Sequence, residues 1–138
     1  INLKLTEQLK KEIVIIAKCN HENIIKLYGA FEDKSYIYLI MELANDSTLF
    51  SKLKKAKKLP EQQAAIYLSD IVKALVYLHS HKPAIIHRDL KPENLLIHSD
   101  GYLKLADFGF AKIITPTEKS FSIVGSPEYM APEMIFRN

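Results

Sequence analysis

The chain has 138 residues, 48% of them hydrophobic and 25% charged, which is typical of one folded globular domain and excludes a disordered or fibrous chain. Its net charge is only +3, and its single cysteine, Cys19, excludes an internal disulfide and fits a reducing compartment. No apolar run approaches the ~18 residues that span a bilayer, and the first residues lack a signal-peptide pattern. We therefore expect an intracellular, cytoplasmic protein, with the nucleus as an alternative, and no membrane partner.

The first part of the chain predicts a helix followed by a β-hairpin. Residues 5–18 carry apolar side chains at helical spacing, so they predict an amphipathic helix. Residues 24–31 and 36–43 are rich in Ile, Tyr, Leu and Phe and flank a short polar segment, which is typical of two hairpin strands. Residues 45–47 then predict a turn and an N-cap for a short helix that ends near Ala56.

Five lysines lie within and just after this short helix, at positions 52, 54, 55, 57 and 58. Such a cluster is compatible with a nucleic-acid or membrane surface. No aromatic residue interleaves with the lysines, which favours a solvated helix end, so we expect no nucleic-acid partner.

The strongest predicted helix begins at Pro60, a favoured first helical residue, and ends near Ser80. Its predicted buried stripe consists of positions 64, 68, 71, 72, 75 and 78.

Short apolar segments follow this helix. Residues 84–86 are wholly apolar, and residues 95–97 and 102–105 flank a Ser-Asp-Gly turn, which predicts a second hairpin. Residues 115–126 are polar and aperiodic, so they predict a loop.

Three motifs follow one another in this second half. They are H-R-D-L-K-P-E-N at residues 87–94, D-F-G at 107–109 and A-P-E at 131–133. The pattern H-R-D-L-x-x-x-N followed by D-F-G and A-P-E is very improbable by chance. On these motifs the chain resembles the eukaryotic serine/threonine protein kinases, and the resemblance runs over essentially its whole length.

The resemblance implies a fold and a division of the chain. The fold class is α+β, a bilobal protein kinase-like fold represented here by one part of it. Residues 1–44 would supply one helix and two strands of the small lobe with the hinge, and residues 45–138 the large lobe through the A-P-E motif.

The resemblance also implies the reaction, transfer of the γ-phosphoryl group of ATP to a serine or threonine of a protein substrate. Asp89 would orient the attacking hydroxyl, and Lys91 would place a cation on the transferring group. Asn94 and Asp107 would hold Mg²⁺, which prefers hard oxygen ligands.

Five further positions would bind the nucleotide by the same resemblance. Glu12, rather than the weaker candidate Glu7, would pair with the ATP-binding lysine. Met41 would lie beside the adenine pocket, the backbones of Glu42 and Ala44 would hydrogen-bond the adenine, and Leu96 would form the floor under it. A hydrophobic spine would be formed by Ile16, Leu27, His87 and Phe108.

Specificity and regulation are implied by the segments around the catalytic motifs. Lys91 together with Ser126 is typical of serine/threonine kinases rather than tyrosine kinases. Ser122 lies where an activating phosphate would be added by an upstream kinase, with Arg88 as its expected partner, since a phosphate adds roughly −1.5 to −2 charge. A plain solvated serine is the alternative.

The chain also departs from the family pattern. A G-x-G-x-x-G loop and a strand lysine are expected in a complete kinase domain, and neither occurs, since Lys4 lies too close to Glu12. We therefore expect a partial domain with poor solubility and little activity alone. The alternative function is a pseudokinase or truncated form that acts as a non-catalytic binding module.

The subfamily stays open at this point. Residues 107–112 and 125–129 are similar to cyclic-nucleotide-dependent kinases, whereas residues 21–29 are similar to Aurora-like kinases.

Overall fold

The computed structural model describes residues 3–44, 47–115 and 124–136. Within these ranges the helices and strands are, in chain order, α1 (Leu3–Ala17), β1 (Leu27–Glu32), β2 (Ile37–Met41), α2 (Leu49–Ala56), α3 (Glu61–His79), β3 (Ala84–Ile86), β4 (Leu95–Ile97), β5 (Leu103–Leu105), β6 (Lys112–Ile114) and α4 (Pro132–Phe136). Two 3₁₀ turns, Pro92–Asn94 and Pro127–Tyr129, interrupt the loops. The mixture of helices and short antiparallel strands agrees with the predicted α+β class.

The strands form three antiparallel pairs, β1 with β2, β3 with β6, and β4 with β5. Both predicted hairpins are confirmed, and in the first one Glu32 lies opposite Ile37. The pair of β3 with β6 was not predicted, because Lys112–Ile114 is too short to show an alternating pattern. This pair brings the chain that follows the D-F-G motif back beside residues 87–94, which we call the catalytic loop after the role that the resemblance implies.

Helix α3 is confirmed, but the stripe predicted for its buried face is only partly right, since Leu78 is buried and positions 71 and 75 are half-buried. Its buried residues are Tyr67, Asp70, Ala74 and Leu78, whereas positions 64, 68 and 72 are exposed. The buried face includes a carboxylate, because Asp70 Oδ2 accepts a hydrogen bond of 3.0 Å from the backbone N–H of Leu103. An apolar pattern does not reveal a buried acid that is satisfied by a backbone donor.

Helix α2 begins one residue later than predicted. Thr48 is its N-cap and accepts a 3.1 Å hydrogen bond from Ser51 N–H, which satisfies one of the orphan donors of the first turn. Of the predicted cap residues, Ser47 is therefore outside the helix, and positions 45 and 46 lie outside the described residues. Pro60 similarly precedes α3 as its N-cap instead of being its first residue.

The core is one cluster that joins α1, α3 and the β4–β5 hairpin. Among its most buried members are Ile16, Leu78, Leu105 and Phe108, each at most 2% exposed. Burial of such side chains contributes roughly 1.5–3 kcal/mol each. The cluster therefore packs beneath the loops that carry the H-R-D and D-F-G motifs and stabilises them.

Backbone hydrogen bonds connect the chain before β1 to β5. Ile25 N–H donates to the Leu105 carbonyl (3.0 Å), and Leu105 N–H donates to the Asn23 carbonyl (2.8 Å). The small-lobe segment and the β4–β5 hairpin are thus joined by main-chain atoms. Among the described helices, none is long and apolar enough to cross a membrane.

Candidate active site

The catalytic-loop motif places Asp89 at the centre of a hydrogen-bond network. Its side chain is almost fully buried and accepts hydrogen bonds from three donors, Lys91 Nζ (2.9 Å), Ser126 Oγ (2.9 Å) and Asn94 Nδ2 (3.0 Å). Lys91 Nζ also donates to Ser126 Oγ at 2.7 Å. Four predicted site residues, drawn from positions 89 to 126, therefore meet at one carboxylate.

This network keeps Asp89 ionised. Burial raises the pKa of its carboxyl group, but the hydrogen bonds from Lys91, Ser126 and Asn94 outweigh burial and hold that pKa below its usual value. The same contact acts on the lysine, since the hydrogen bond to Asp89 raises the pKa of the Lys91 ammonium. A fixed carboxylate and a fixed cation are thus presented side by side.

The His87 side chain is a neutral imidazole that hydrogen-bonds the backbone of Asp89 and of Ala106. Its Nε2 lies 3.1 Å from the Ala106 carbonyl, and its Nδ1 accepts a 3.3 Å hydrogen bond from Asp89 N–H, so the proton belongs on Nε2. Burial lowers the pKa of His87. The ring lies 5.1 Å from that of Phe108, edge to face.

These contacts bear on the predicted hydrophobic spine. Ile16, His87 and Phe108 are buried, and Leu27 is half-buried and packs against the core. His87 thus has a structural role, since its ring connects the H-R-D motif, to which it belongs, to the D-F-G motif.

Gly125 is a site residue that the motif analysis did not single out. Its φ is +110°, and a Cβ added there would collide with the carbonyl oxygen of Arg88. Glycine allows the two backbones to approach closely, and this approach brings the next residue, Ser126, to Asp89. A glycine at this position in the sequence is compatible with a close backbone approach. Only the fold shows that the backbone it approaches is that of Arg88.

Asp107 is held differently from Asp89. It is exposed, has a left-handed φ of 60°, and accepts a 3.1 Å hydrogen bond from Gly109 N–H at Oδ1. The next residue, Phe108, is fully buried. The Ala106 N–H donates to the Asn94 carbonyl at 2.9 Å, which ties this turn to the catalytic loop.

The residues predicted to hold Mg²⁺ offer suitable atoms. The amide nitrogen of Asn94 is committed to Asp89, which leaves its Oδ1 oxygen for a metal, and Asp107 presents an exposed carboxylate. Within residues 3–44, 47–115 and 124–136, no three His, Cys, Asp or Glu side chains form a metal-binding group. A site of this kind would therefore need phosphate oxygens and water to complete it, as Mg²⁺ sites commonly do.

The predicted adenine-binding residues lie along the end of β2 and the segment after it. Met41 is half-buried against the core, and Leu96 is half-buried on β4. The Glu42 N–H donates to the Lys26 carbonyl at 2.8 Å. The Glu42 carbonyl is therefore the backbone group of this residue that is left to contact the adenine. Ala44 follows in irregular backbone and is half-buried.

The Glu42 side chain forms an ionic contact that the sequence did not suggest. Its Oε1 lies 3.0 Å from Lys104 Nζ, and Lys104 also donates to the Glu22 carbonyl at 2.7 Å. Lys104 is 8% exposed, so this pair is better shielded from solvent than a surface salt bridge. The contact fixes the predicted hinge to β5.

Glu12 lies on α1 close to the D-F-G turn. Burial, followed by the negative charge of Asp107, raises the pKa of its carboxyl group, while the Phe108 N–H partly opposes this change. Glu7, the weaker candidate, is exposed and lies 4.0 Å from Lys10. The structure therefore places Glu12, and not Glu7, beside the predicted metal-binding turn.

A cavity of about 650 Å³ lies between α1 and the chain that follows the D-F-G motif. Its lining includes four cationic side chains, those of Lys10, Lys11, Arg88 and Lys112. Val124 also lines it, two residues after Ser122, which itself lies outside the described residues. Arg88 Nε donates to the Phe110 carbonyl at 2.6 Å.

Comparison with known proteins agrees with this arrangement. A family model described as the protein kinase domain matches residues 2–138. Aurora kinase A-A of Xenopus laevis is 43% identical over 93% of this chain, and the match covers 31% of that protein. The cAMP-dependent protein kinase catalytic subunit of Dictyostelium discoideum is 42% identical over 98% of this chain and 20% of its own length.

A further relative extends the same result. Aurora kinase of Schizosaccharomyces pombe is 40% identical over 98% of this chain, and the match covers 37% of that protein. The chain thus spans less than two-fifths of these curated relatives, and it belongs to the protein kinase family.

Proposed function

We propose that the protein containing this chain transfers the γ-phosphoryl group of ATP to serine or threonine residues of protein substrates. The observation that carries the proposal is the position of Asp89, whose ionised carboxylate lies 2.9 Å from both the Lys91 ammonium and the Ser126 hydroxyl. Phosphoryl transfer to an alcohol requires a carboxylate that orients the acceptor hydroxyl and a cation that stabilises the transferring group, and Asp89 and Lys91 supply these two groups side by side.

The chemistry is assigned to four side chains. Asp89 accepts the hydrogen bond of the acceptor hydroxyl and orients its oxygen, and Lys91 stabilises the charge on the transferring group. Asn94 Oδ1 and the Asp107 carboxylate would hold Mg²⁺, and its charge would neutralise the phosphate oxygens. Ser126 Oγ keeps Lys91 and Asp89 in register through its two hydrogen bonds.

Nucleotide binding is assigned to the hinge and to α1. The Glu42 carbonyl and the Ala44 N–H hydrogen-bond the adenine, Met41 borders its pocket, and Leu96 lies beneath it. Glu12 pairs with the ATP-binding lysine of the complete domain. These assignments are supported by the half-buried positions of Met41 and Leu96 and by the proximity of Glu12 to Asp107.

The test is phosphotransfer from labelled ATP to a mixture of serine and threonine peptides by the full-length protein. We expect Asp89→Asn to lower the turnover rate roughly 10²- to 10⁴-fold, the usual contribution of a positioned general base. Asp100→Asn, which removes an equally charged but exposed carboxylate in the β4–β5 turn, is the matched control and should retain activity. A folded wild-type protein with no phosphotransfer would overturn the proposal and favour a binding module.

Regulation is assigned to a phosphate on Ser122, added by an upstream kinase. The proposal is supported by the cavity that Val124 lines, whose charged lining consists of one acid, Glu12, and four cationic residues, Lys10, Lys11, Arg88 and Lys112. A phosphate on Ser122 would gain charge-assisted hydrogen bonds from these cationic side chains. Ser122→Ala should lower the activity of the phosphorylated protein to that of the dephosphorylated form, and equal activity of variant and wild type would reject Ser122.

A further inference from the structure

The lysines of α2 form a concentrated patch of positive charge. Residues 48–59 contain five lysines and no acidic residue, which contributes +5. The net charge of the whole chain is +3, so all other residues together carry −2. The basic character of the chain therefore comes from this one segment.

Four of these lysines are available to a partner. Lys52 is half-buried and donates to the Tyr67 hydroxyl at 2.9 Å, so it belongs to the packing of α2 on α3. The other four, Lys54, Lys55, Lys57 and Lys58, are exposed, and within the described residues none of them forms a salt bridge. We call these four residues the α2 lysine surface.

Helix α2, which carries Lys54 and Lys55 and is followed by Lys57 and Lys58, lies beside the catalytic loop. Helix α2 packs against the 3₁₀ turn Pro92–Asn94, and Asn94 hydrogen-bonds Asp89. Just before the helix, the Ser47 carbonyl accepts a 2.9 Å hydrogen bond from Ile97 N–H on β4. Leu49 and Leu53 pack in the core and the four lysines are exposed, so the lysines lie on the solvent side of the segment that packs against this turn.

The backbone at Lys57 gives a second reason to assign a function to the charge. Its φ is 64°, the left-handed region, and its N–H donates to the Leu53 carbonyl at 2.7 Å to close the helix. Glycine adopts a positive φ at lower cost than lysine. Lys54 and Lys55 lie in the last turn and complement the helix dipole, but Lys57 and Lys58 follow that turn and are not explained by it.

We propose that the α2 lysine surface is a docking surface for an acidic segment of the protein substrate. Ammonium groups on flexible stems suit carboxylates whose spacing varies, because each acts as a point charge. Neither an arginine nor an aromatic residue lies between Lys52 and Lys58, so the planar groups that favour nucleic-acid recognition are missing from this surface. The proposal rests on the proposed kinase function and names the substrate class of that same site.

The experiment uses the full-length protein and two serine peptides, one with four acidic residues beside the acceptor and one with the matching amides. The test variant changes Lys54, Lys55, Lys57 and Lys58 to glutamine. The control variant also changes four lysines to glutamine, and so lowers the net charge by the same amount. These lysines are exposed and scattered over the chain, at Lys18, Lys26, Lys34 and Lys82. Circular dichroism establishes that both variants are folded, and the pair Lys54→Gln with Lys55→Gln serves if the test variant is not.

We expect the test variant to raise KM for the acidic peptide about tenfold, which four exposed charge contacts supply together, with kcat unchanged. The amide peptide and the control variant should show no change, and the difference should fade towards 1 M salt, where screening acts within about 3 Å. Equal KM values for the two peptides on wild-type protein, or an equal loss in the control variant, would overturn the proposal.

Direct binding separates this proposal from the kinase function. Anisotropy of a labelled acidic peptide should show weaker binding to the test variant even if the protein transfers no phosphate, and that result would reject the kinase function alone. Absence of acidic-peptide binding, together with binding of single-stranded RNA or phosphatidylserine vesicles that the test variant loses, would overturn the substrate proposal and assign another partner.

Discussion

Asp89 and Asp107 are two carboxylates assigned to one reaction, and the fold holds them by different means. Asp89 is buried and accepts hydrogen bonds from three side chains that come from the catalytic loop and from Ser126. Asp107 is exposed, and the one described hydrogen bond of its side chain comes from the backbone of Gly109. The side chain next to it, Phe108, is fully buried.

This difference shows two ways to position an acid. A closed network fixes the Asp89 carboxylate in direction and in charge before any ligand binds. The Asp107 carboxylate is left open to a ligand, and its position is set by a left-handed backbone turn that the buried neighbour anchors. The first arrangement should therefore contribute to stability through the acid itself, and the second through the neighbouring aromatic ring.

The largest expected effect on stability comes from Phe108, the buried neighbour that anchors the turn at Asp107. Phe108→Ala should lower the free energy of unfolding by about 3–5 kcal/mol, because it removes a fully buried ring from the core. Urea unfolding followed by far-UV circular dichroism measures this change. Phe110→Ala, at an exposed position two residues further on, is the control and should cost less than about 1 kcal/mol. Equal costs for the two changes would contradict the anchor role.

A smaller effect should separate the two acids themselves. Asp89→Asn should cost about 1–3 kcal/mol of stability, since the new amide cannot accept all three hydrogen bonds and leaves buried donors unpaired. Asp107→Asn should stay within about 0.5 kcal/mol, because asparagine tolerates the left-handed backbone and the side chain is exposed. Thermal unfolding of the two variants without nucleotide measures this difference. A larger loss of stability for Asp107→Asn than for Asp89→Asn would contradict the distinction between the two carboxylates.

The smallest effect concerns pH and His87, which lies under Asp89. Burial lowers the pKa of this histidine from 6.5, so the folded state binds fewer protons than the unfolded state once the pH falls below 6.5. Stability should therefore be complete above pH 6.5 and fall below it, by up to about 1.4 kcal/mol for each pH unit, until the folded pKa is reached.

The matching variant is His87→Phe, which should flatten this slope whatever its effect on total stability. Burial also lowers the pKa of His21, so His21 is kept in both proteins. Asp89 acts in a separate range, because its lowered pKa preserves stability above about pH 3.8 and loses it as the pH falls further. An unchanged slope between pH 6.5 and 5 in the variant would remove His87 from this account.

The sequence predicted the site better than the packing around it. The residues that meet at Asp89 are close together in sequence or lie in a short motif, so the family resemblance identified them directly. The buried face of α3 was predicted only in part, because a charged residue, Asp70, belongs to it, and β6 was missed because three residues are too few to show a period. The roles of Gly125 and Lys104 depend on contacts with residues 37 and 82 positions earlier in the chain, which no local pattern contains.

The backbone ladder between residues 23–25 and Leu105 has a mechanical consequence. Together with the ion pair of Glu42 and Lys104, it connects the predicted hinge and the chain before β1 to β5. A force that separates these segments from the β4–β5 hairpin would have to break the two main-chain hydrogen bonds and the ion pair together.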